Sequence, residues 1–226
     1  MLWSRNLQLL YPFQNTALDY SGNARNGTVN GSGVYATKPN GGRCLYFDGV
    51  GDYVKTPSFG LSGTVFVFAA DVRCKYSTAT RQTLLSDNST SATVGYLWLY
   101  RETNSNNLRW RYADGVAPTA GVDATSFFAA PYNDVWLHLL VACDYNGKNT
   151  YFYRNGILFA TIAMSNTPVF PSTNNAKYLG IGITSAYLLT AGYLANVQIW
   201  TLATMPAAAQ MLANANRIML GMNPIW

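Results

Sequence analysis

The chain has 226 residues, 49% hydrophobic, 14% aromatic and only 11% charged, with a formal net charge of +5. A charged fraction under half of the roughly 25% usual for soluble domains excludes coiled coils and Glu/Lys-rich bundles. The wealth of aromatic and β-branched residues excludes disorder. The acids are nine Asp and a single Glu, Glu102, and the one histidine is His138, so few general acids or bases are present.

Short apolar runs separated by Gly, Asn, Ser and Pro clusters predict strands at 7–11, 44–47, 53–56, 64–73, 82–86, 94–101 and 108–112. The series continues at 135–144, 150–154, 157–163, 178–183 and 193–200. In the opening turn the Asp19 carboxylate is placed to cap backbone N–H groups, and Gly22 and Gly27 permit positive φ. Asp48-Gly49 predicts a hairpin between the runs at 44–47 and 53–56. Period-2 alternation sends Tyr96, Trp98 and Tyr100 to one face and Leu97 and Leu99 to the other. It likewise sets Arg109 and Arg111 against Trp110 and Tyr112. Asn146-Gly147 and Asn155-Gly156 favour type I′ turns, making the strands around them an antiparallel meander.

About a dozen strands with these hairpins predict an all-β, two-sheet antiparallel sandwich. Near the end, Thr204 is placed as an N-cap and Pro206 in the first turn of an Ala-rich segment. This predicts one short helix over about 205–220, ended by Gly221, with a tail at 221–226. No repeat, linker or composition shift interrupts residues 1–226, so the reading is one domain.

Cys44, Cys74 and Cys143 lie in apolar runs without a C-x-x-C pair or a neighbouring His, which points to buried thiols rather than zinc. The N-terminus lacks the pattern of a signal peptide, and no apolar stretch approaches the roughly 20 residues of a membrane span. The expectation is therefore cytoplasmic synthesis with no membrane insertion. The densest basic group, Arg101, Arg109 and Arg111, is too sparse for a nucleic-acid footprint and reads as a solvated strand face.

Taken together, several segments resemble the laminin-G-like, concanavalin A-like jelly-roll family in its single-domain bacterial and viral form. They are Asp19-Tyr-Ser-Gly-Asn-Ala-Arg-Asn-Gly-Thr28, Cys44-Leu-Tyr-Phe-Asp-Gly-Val-Gly-Asp-Tyr-Val54 and Trp136-Leu-His-Leu-Leu-Val-Ala-Cys-Asp144. Tyr151-Phe-Tyr-Arg-Asn-Gly156 and Gly192-Tyr-Leu-Ala-Asn-Val-Gln-Ile-Trp200 follow in the family's order, so the likeness spans about residues 10–220.

The resemblance carries functional expectations. Glycosidase relatives hold paired carboxylates on one strand, whereas Glu102 has no acid within two residues, so no enzyme is expected. His138, in the Trp-x-His pattern, reads as a packed or strand-face residue. No cofactor is expected, and a structural calcium is the one metal the family implies. Its candidate ligands here are Asp19 and Asn196, although Ala195 and Asn196 stand where the family has acids, and calcium favours several anionic oxygens.

The candidate ligand or partner face is Tyr96, Trp98, Tyr100, Trp110 and Tyr112. These rings either line an exposed sheet or fill the space between the sheets, and alternation alone does not separate the two. Two functions fit. One is a non-enzymatic virion protein of a tailed bacteriophage, a capsid decoration or tail-associated adhesion protein that contacts other virion proteins or copies of itself. It rests on the lone-module organisation, the uncharged polar surface and the likeness of Leu220-Gly-Met-Asn-Pro-Ile-Trp226 to a tail found in phage-encoded members. The other is a carbohydrate-binding, lectin-like module for cell-surface or host-receptor glycans.

Overall fold

The computed structural model describes residues 6–87, 96–114, 120–165, 168–172, 174–182, 188–189, 191–207, 210–211 and 213–214. The first strands are β1 (Leu7–Tyr11), β2 (Thr28–Asn30), β3 (Val34–Thr37), β4 (Arg43–Phe47) and β5 (Tyr53–Phe59). The middle of the chain gives β6 (Val65–Arg73), β7 (Gln82–Ser86), β8 (Leu97–Arg101), β9 (Leu108–Tyr112) and β10 (Ala120–Ala124). The last are β11 (Leu137–Asp144), β12 (Asn149–Arg154), β13 (Ile157–Ala163), β14 (Asn175–Leu179) and β15 (Gly192–Leu202). Sheet A has the order β13-β12-β11-β6-β15-β4-β3, with β1 also paired to β15, and sheet B has β10-β9-β8-β7-β14-β5-β2. The expected two-sheet antiparallel sandwich is the architecture observed. The strands without a counterpart in the sequence reading, β2, β3 and β10, are all edge strands, and an edge carries no two-faced apolar pattern.

Strand β6 explains the core. Its run Val-Phe-Val-Phe-Ala-Ala is buried on both faces. Phe66, Phe68, Ala70 and Val72 point between the sheets, and Val65, Val67 and Ala69 point outward into a second cluster with Leu7, Trp200 and Met211. Across the sandwich Phe66 stacks on Trp110 with centroids 5.3 Å apart. Each such fully buried side chain contributes about 1.5–3 kcal/mol of transfer free energy. Strand β15 is inserted between β6 on one side and β4 and β1 on the other. A bulge between Ala195 and Gln198, with Asn196 at φ 49°, separates the half that pairs with β4 from the half that pairs with β1.

Several turns differ from expectation. Asn155 and Gly156 both take positive φ between the paired residues Arg154 and Ile157, as a type I′ turn requires. Asn146-Gly147 does not. The connection there has four residues, 145–148, with the positive φ at Lys148 and the Asp144 carboxylate accepting the N–H groups of Asn146 and Gly147. Asp48-Gly49 is not a hairpin either, because β4 lies in sheet A and β5 in sheet B. Residues 48–52 cross between the sheets beside the 31–33 crossover, and Asp52 ties the two by accepting from Ser32 N, Ser32 Oγ and Asp48 N. Gly22 has the expected positive φ, but Gly27 does not. Gly27 is required by space, since a Cβ there would lie 2.7 Å from Val54 Cγ1.

The helix expected over 205–220 is not seen among the described residues. Of that span 208–209, 212 and 215–220 lie outside the described residues, and helical backbone is described at Gln210, Met211, Ala213 and Asn214, where Met211 N donates to Ala207 O at 2.9 Å. Residues 215–226, including the tail, lie outside the described residues. Among the described residues no helix is long and apolar enough to cross a membrane.

Candidate functional site

On the outer face of sheet A, the cross-strand pair Asp71 (β6) and His138 (β11) brings an acid and the histidine together. His138 is 5% exposed and its Nδ1 lies 2.9 Å from Asp71 Oδ1. An ionised carboxylate only accepts, so Nδ1 holds the proton of that bond. Asp71 Oδ2 accepts from Lys38 Nζ at 2.8 Å and from Asn196 Nδ2 at 2.7 Å. The β15 bulge supplies that last contact by turning Asn196 toward β6. Burial pushes the Asp71 carboxyl up, but the His138 and Lys38 hydrogen bonds outweigh it and hold the group below the usual carboxylate range.

This cluster forms part of the wall of a cavity of about 320 Å³, lined also by Asn40, Trp136 and Asn155. The size is at the lower end for small-ligand sites. The β3–β4 connection supplies Lys38 and Asn40, the residue just before β11 is Trp136, and the β12–β13 turn supplies Asn155. Asn155 Oδ1 accepts the His138 N–H at 2.8 Å, which fixes the turn against β11. Half-buried rings continue from the cavity along the sheet. Trp136 and Tyr193 have centroids 5.8 Å apart, and the cross-strand pair Tyr193 and Tyr46 has centroids 4.8 Å apart. Lys38 Nζ sits 5.6 Å from the Trp136 ring. An open aromatic ledge beside planar polar side chains can stack on the apolar face of a ring and hydrogen-bond its edge.

The rings expected from the sequence as a candidate ligand face lie in or next to sheet B, and the register decides between the two placements left open for them. Leu99 is paired with Trp110, and Leu97 with Tyr112, so those two aromatics share the interior face with the leucines. Tyr96, Trp98 and Tyr100 point the other way, opposite Arg109 and Arg111. The five rings therefore do not form one surface, and all are buried, from 0% to 4% exposed. Arg81 and Arg111 cover Trp98 and Tyr100 at 5.3–6.0 Å. The arginine face is not simply solvated, because Arg109 pairs with Asp123 and with Glu102, and Arg81 pairs with Glu102 at 2.9 Å. Burial raises the Glu102 carboxyl, but the Arg81 hydrogen bond and its companions hold it low. Arg101 is buried, and its guanidinium donates to Cys74 O, Asn133 Oδ1 and Asn106 Oδ1.

The two expected calcium ligands are both engaged within the chain, Asp19 as an acceptor and Asn196 as a donor. Asp19 Oδ1 accepts from Leu10 N and Ser21 N, and Oδ2 accepts from Ser21 Oγ and Arg25 N. Asn196 directs its amide NH2 at Asp71. A cation needs lone pairs, and those of Asp19 are already held by four donors while Asn196 brings only one neutral oxygen, so this pair does not fit calcium. Among the described residues no group of three or more His, Cys, Asp or Glu is gathered. The three cysteines are buried free thiols, as expected. Lys38, Asp71, Trp136 and Asn155 were not among the sequence candidates. Only His138 carried a signal, and its partner Asp71 lies 67 residues away.

Comparison with known proteins agrees with the fold. The family model for the concanavalin A-like lectin/glucanases superfamily matches residues 48–209. No curated protein matches the chain in sequence. Domain 4 of an extracellular GH43 arabinanase from Geobacillus stearothermophilus, solved with arabinotriose, superposes with a TM-score of 0.70 at 18% identity, covering 95% of this chain and 98% of that one. The receptor-binding domain of botulinum neurotoxin C/D mosaic serotype gives 0.71 at 13% identity, over 96% of this chain and 51% of that one. The binding domain of Paraclostridial Mosquitocidal Protein 1 gives 0.69 at 12% identity, over 95% and 52%. The chain thus spans about half the length of each toxin domain. With the two-sheet topology and a family match over most of its length, this chain belongs to the concanavalin A-like lectin/glucanases superfamily.

Proposed function

We propose that the chain is a non-catalytic glycan-binding module whose site is the cavity and aromatic ledge on the outer face of sheet A. The observation that carries this reading is the junction of the half-buried Trp136 ring with a wall of polar side chains, Lys38, Asn40, Asp71 and Asn155. The similar arabinanase domain was solved with arabinotriose, and cell entry of botulinum neurotoxin type C, which has a similar structure, is dependent upon interaction with two ganglioside molecules. Both lend support to a sugar as the ligand class. A non-enzymatic role is supported by the carboxyls nearest to candidate sites. A glycosidase acid needs a raised pKa, whereas Asp71 and Glu102 are both held low by the side-chain hydrogen bonds they accept, from His138 and Lys38 and from Arg81.

The test is a glycan array probed with the full chain and with Trp136→Ala. Binding by the wild type that the variant loses is the expected result. No binding to any glycan, or equal binding by both, rejects the reading. The finer setting, a tailed-phage particle in which the domain contacts other virion proteins or copies of itself, is supported by the sequence likeness of residues 220–226. Mass spectrometry of purified particles tests it, and absence from every particle fraction rejects it.

A further inference from the structure

The polar groups of the cavity are unevenly divided between donors and acceptors. Lys38 Nζ has three N–H groups and gives one to Asp71. Asn155 Oδ1 is used by His138 N and Asn40 Oδ1 by Gly42 N. Among the described residues no acceptor takes the NH2 of either amide. The acceptor side is small. Asp71 Oδ1 takes one bond from His138 and Oδ2 takes two, from Lys38 and Asn196, which leaves one of the carboxylate's roughly four lone-pair positions, on Oδ1. His138 Nε2 is also buried without a partner. Charge is balanced, because Lys38 and Asp71 neutralise each other at 2.8 Å. Trp136 and Pro39 supply the apolar wall.

From this inventory we infer that the cavity recognises a 2-acetamido sugar, an N-acetylhexosamine unit of a glycan. The acetamido carbonyl accepts from the amide of Asn155 or Asn40 or from Lys38. Its N–H donates to the open lone pair of Asp71 Oδ1, and its methyl packs on the Trp136 ring. A plain hexose offers hydroxyls that donate as readily as they accept and lacks the methyl, so it uses less of this wall. A uronic acid brings a net negative charge to a pair that is already neutral. The inference rests on the glycan-binding reading above and narrows it to one sugar class.

Titration calorimetry of the full chain with the methyl glycosides of N-acetylglucosamine, glucose and glucuronic acid tests it. The N-acetyl glycoside is expected to bind roughly tenfold more tightly than the other two, the effect of about one net hydrogen bond. Asn155→Asp keeps the oxygen that caps His138 N and the tolerance for positive φ but removes the NH2 donor. It is expected to weaken the N-acetyl glycoside roughly tenfold and the glucoside less than twofold. Asn40→Asp, on the exposed connection, provides the same readout if the turn variant is unstable. Equal affinity for the N-acetyl glycoside and the glucoside overturns the acetamido inference and leaves the glycan-binding reading standing, as does tightest binding of the glucuronide. Failure of all three glycosides on wild-type protein, together with a blank array, removes both.

Discussion

Replacing Asp71 by Asn tests the cluster at the base of the cavity most directly. The carboxylate accepts three hydrogen bonds, from Lys38, His138 and Asn196. An amide of the same shape has one carbonyl oxygen and turns its NH2 toward a donor. The Lys38 and Asp71 side chains are only 10% and 16% exposed, so the substitution leaves an ammonium largely out of water. Stranding one partner of a buried pair costs about 3–5 kcal/mol. Access of water through the cavity relieves part of that, so the expected loss is about 2–3 kcal/mol, a large part of the 5–15 kcal/mol that stabilises a typical domain. Urea denaturation at pH 7 measures it as a fall in midpoint at unchanged m-value.

Adding Lys38→Met removes the stranded charge, so the double variant is expected to recover about 1–2 kcal/mol relative to Asp71→Asn alone. The pH dependence has a definite sign. With the folded Asp71 below its unfolded value of about 3.9, the unfolded chain binds more protons between the two values. The contribution is therefore complete above about pH 5 and is lost on acidification through the folded value. Asp71→Asn lacks that acid limb. A loss below about 0.5 kcal/mol, or no recovery with Lys38→Met, refutes the account of the cluster.

Trp110→Ala removes the ring stacked on Phe66 in the middle of the sandwich and is expected to cost about 3–5 kcal/mol by urea denaturation. Lys177, fully buried on β14, has its pKa pushed down to about 8 by burial. A depressed cation penalises the fold fully below pH 8, on the order of 3 kcal/mol, and the penalty shrinks as pH rises toward the unfolded value of 10.5. Lys177→Met is thus expected to be the more stable protein at pH 7. The gap should narrow between pH 8 and 10, read as a difference so that the buried thiols and tyrosines cancel. Because the lone pairs of Asp19 are held by four donors, chelation with EDTA is expected to leave the melting temperature within 1 °C, roughly the scatter of a small ΔΔG. A larger fall would show a metal site that this donor set does not provide.

Much of the fold is legible in the sequence because strand signals are local. The apolar run of β6, the Asn155-Gly156 turn and the opening Asp19 cap all read correctly from a few neighbouring residues. What fails is information about pairing. Asp48-Gly49 has hairpin chemistry, yet the chain there changes sheets, and only the tie from Asp52 to Ser32 marks the crossover. Alternation divides Tyr96, Trp98 and Tyr100 from their leucines, but the side on which Trp110 falls depends on its register with Leu99. The site is illegible for the same reason. Lys38, Asp71, His138 and Asn196 come from four separate segments, and no local spacing announces their meeting.

The place of β15 in sheet A also governs how the protein can be made. Until residues 192–202 have left the ribosome, β13-β12-β11-β6 and β4-β3 are two unconnected half-sheets, each with an open hydrogen-bonding edge, and β1 has no partner strand. Strand β15 therefore acts as a keystone. Completion of sheet A waits on residues 192–202, and a nascent or truncated form ending before Gly192 presents unpaired edges of the kind that recruit chaperones or aggregate.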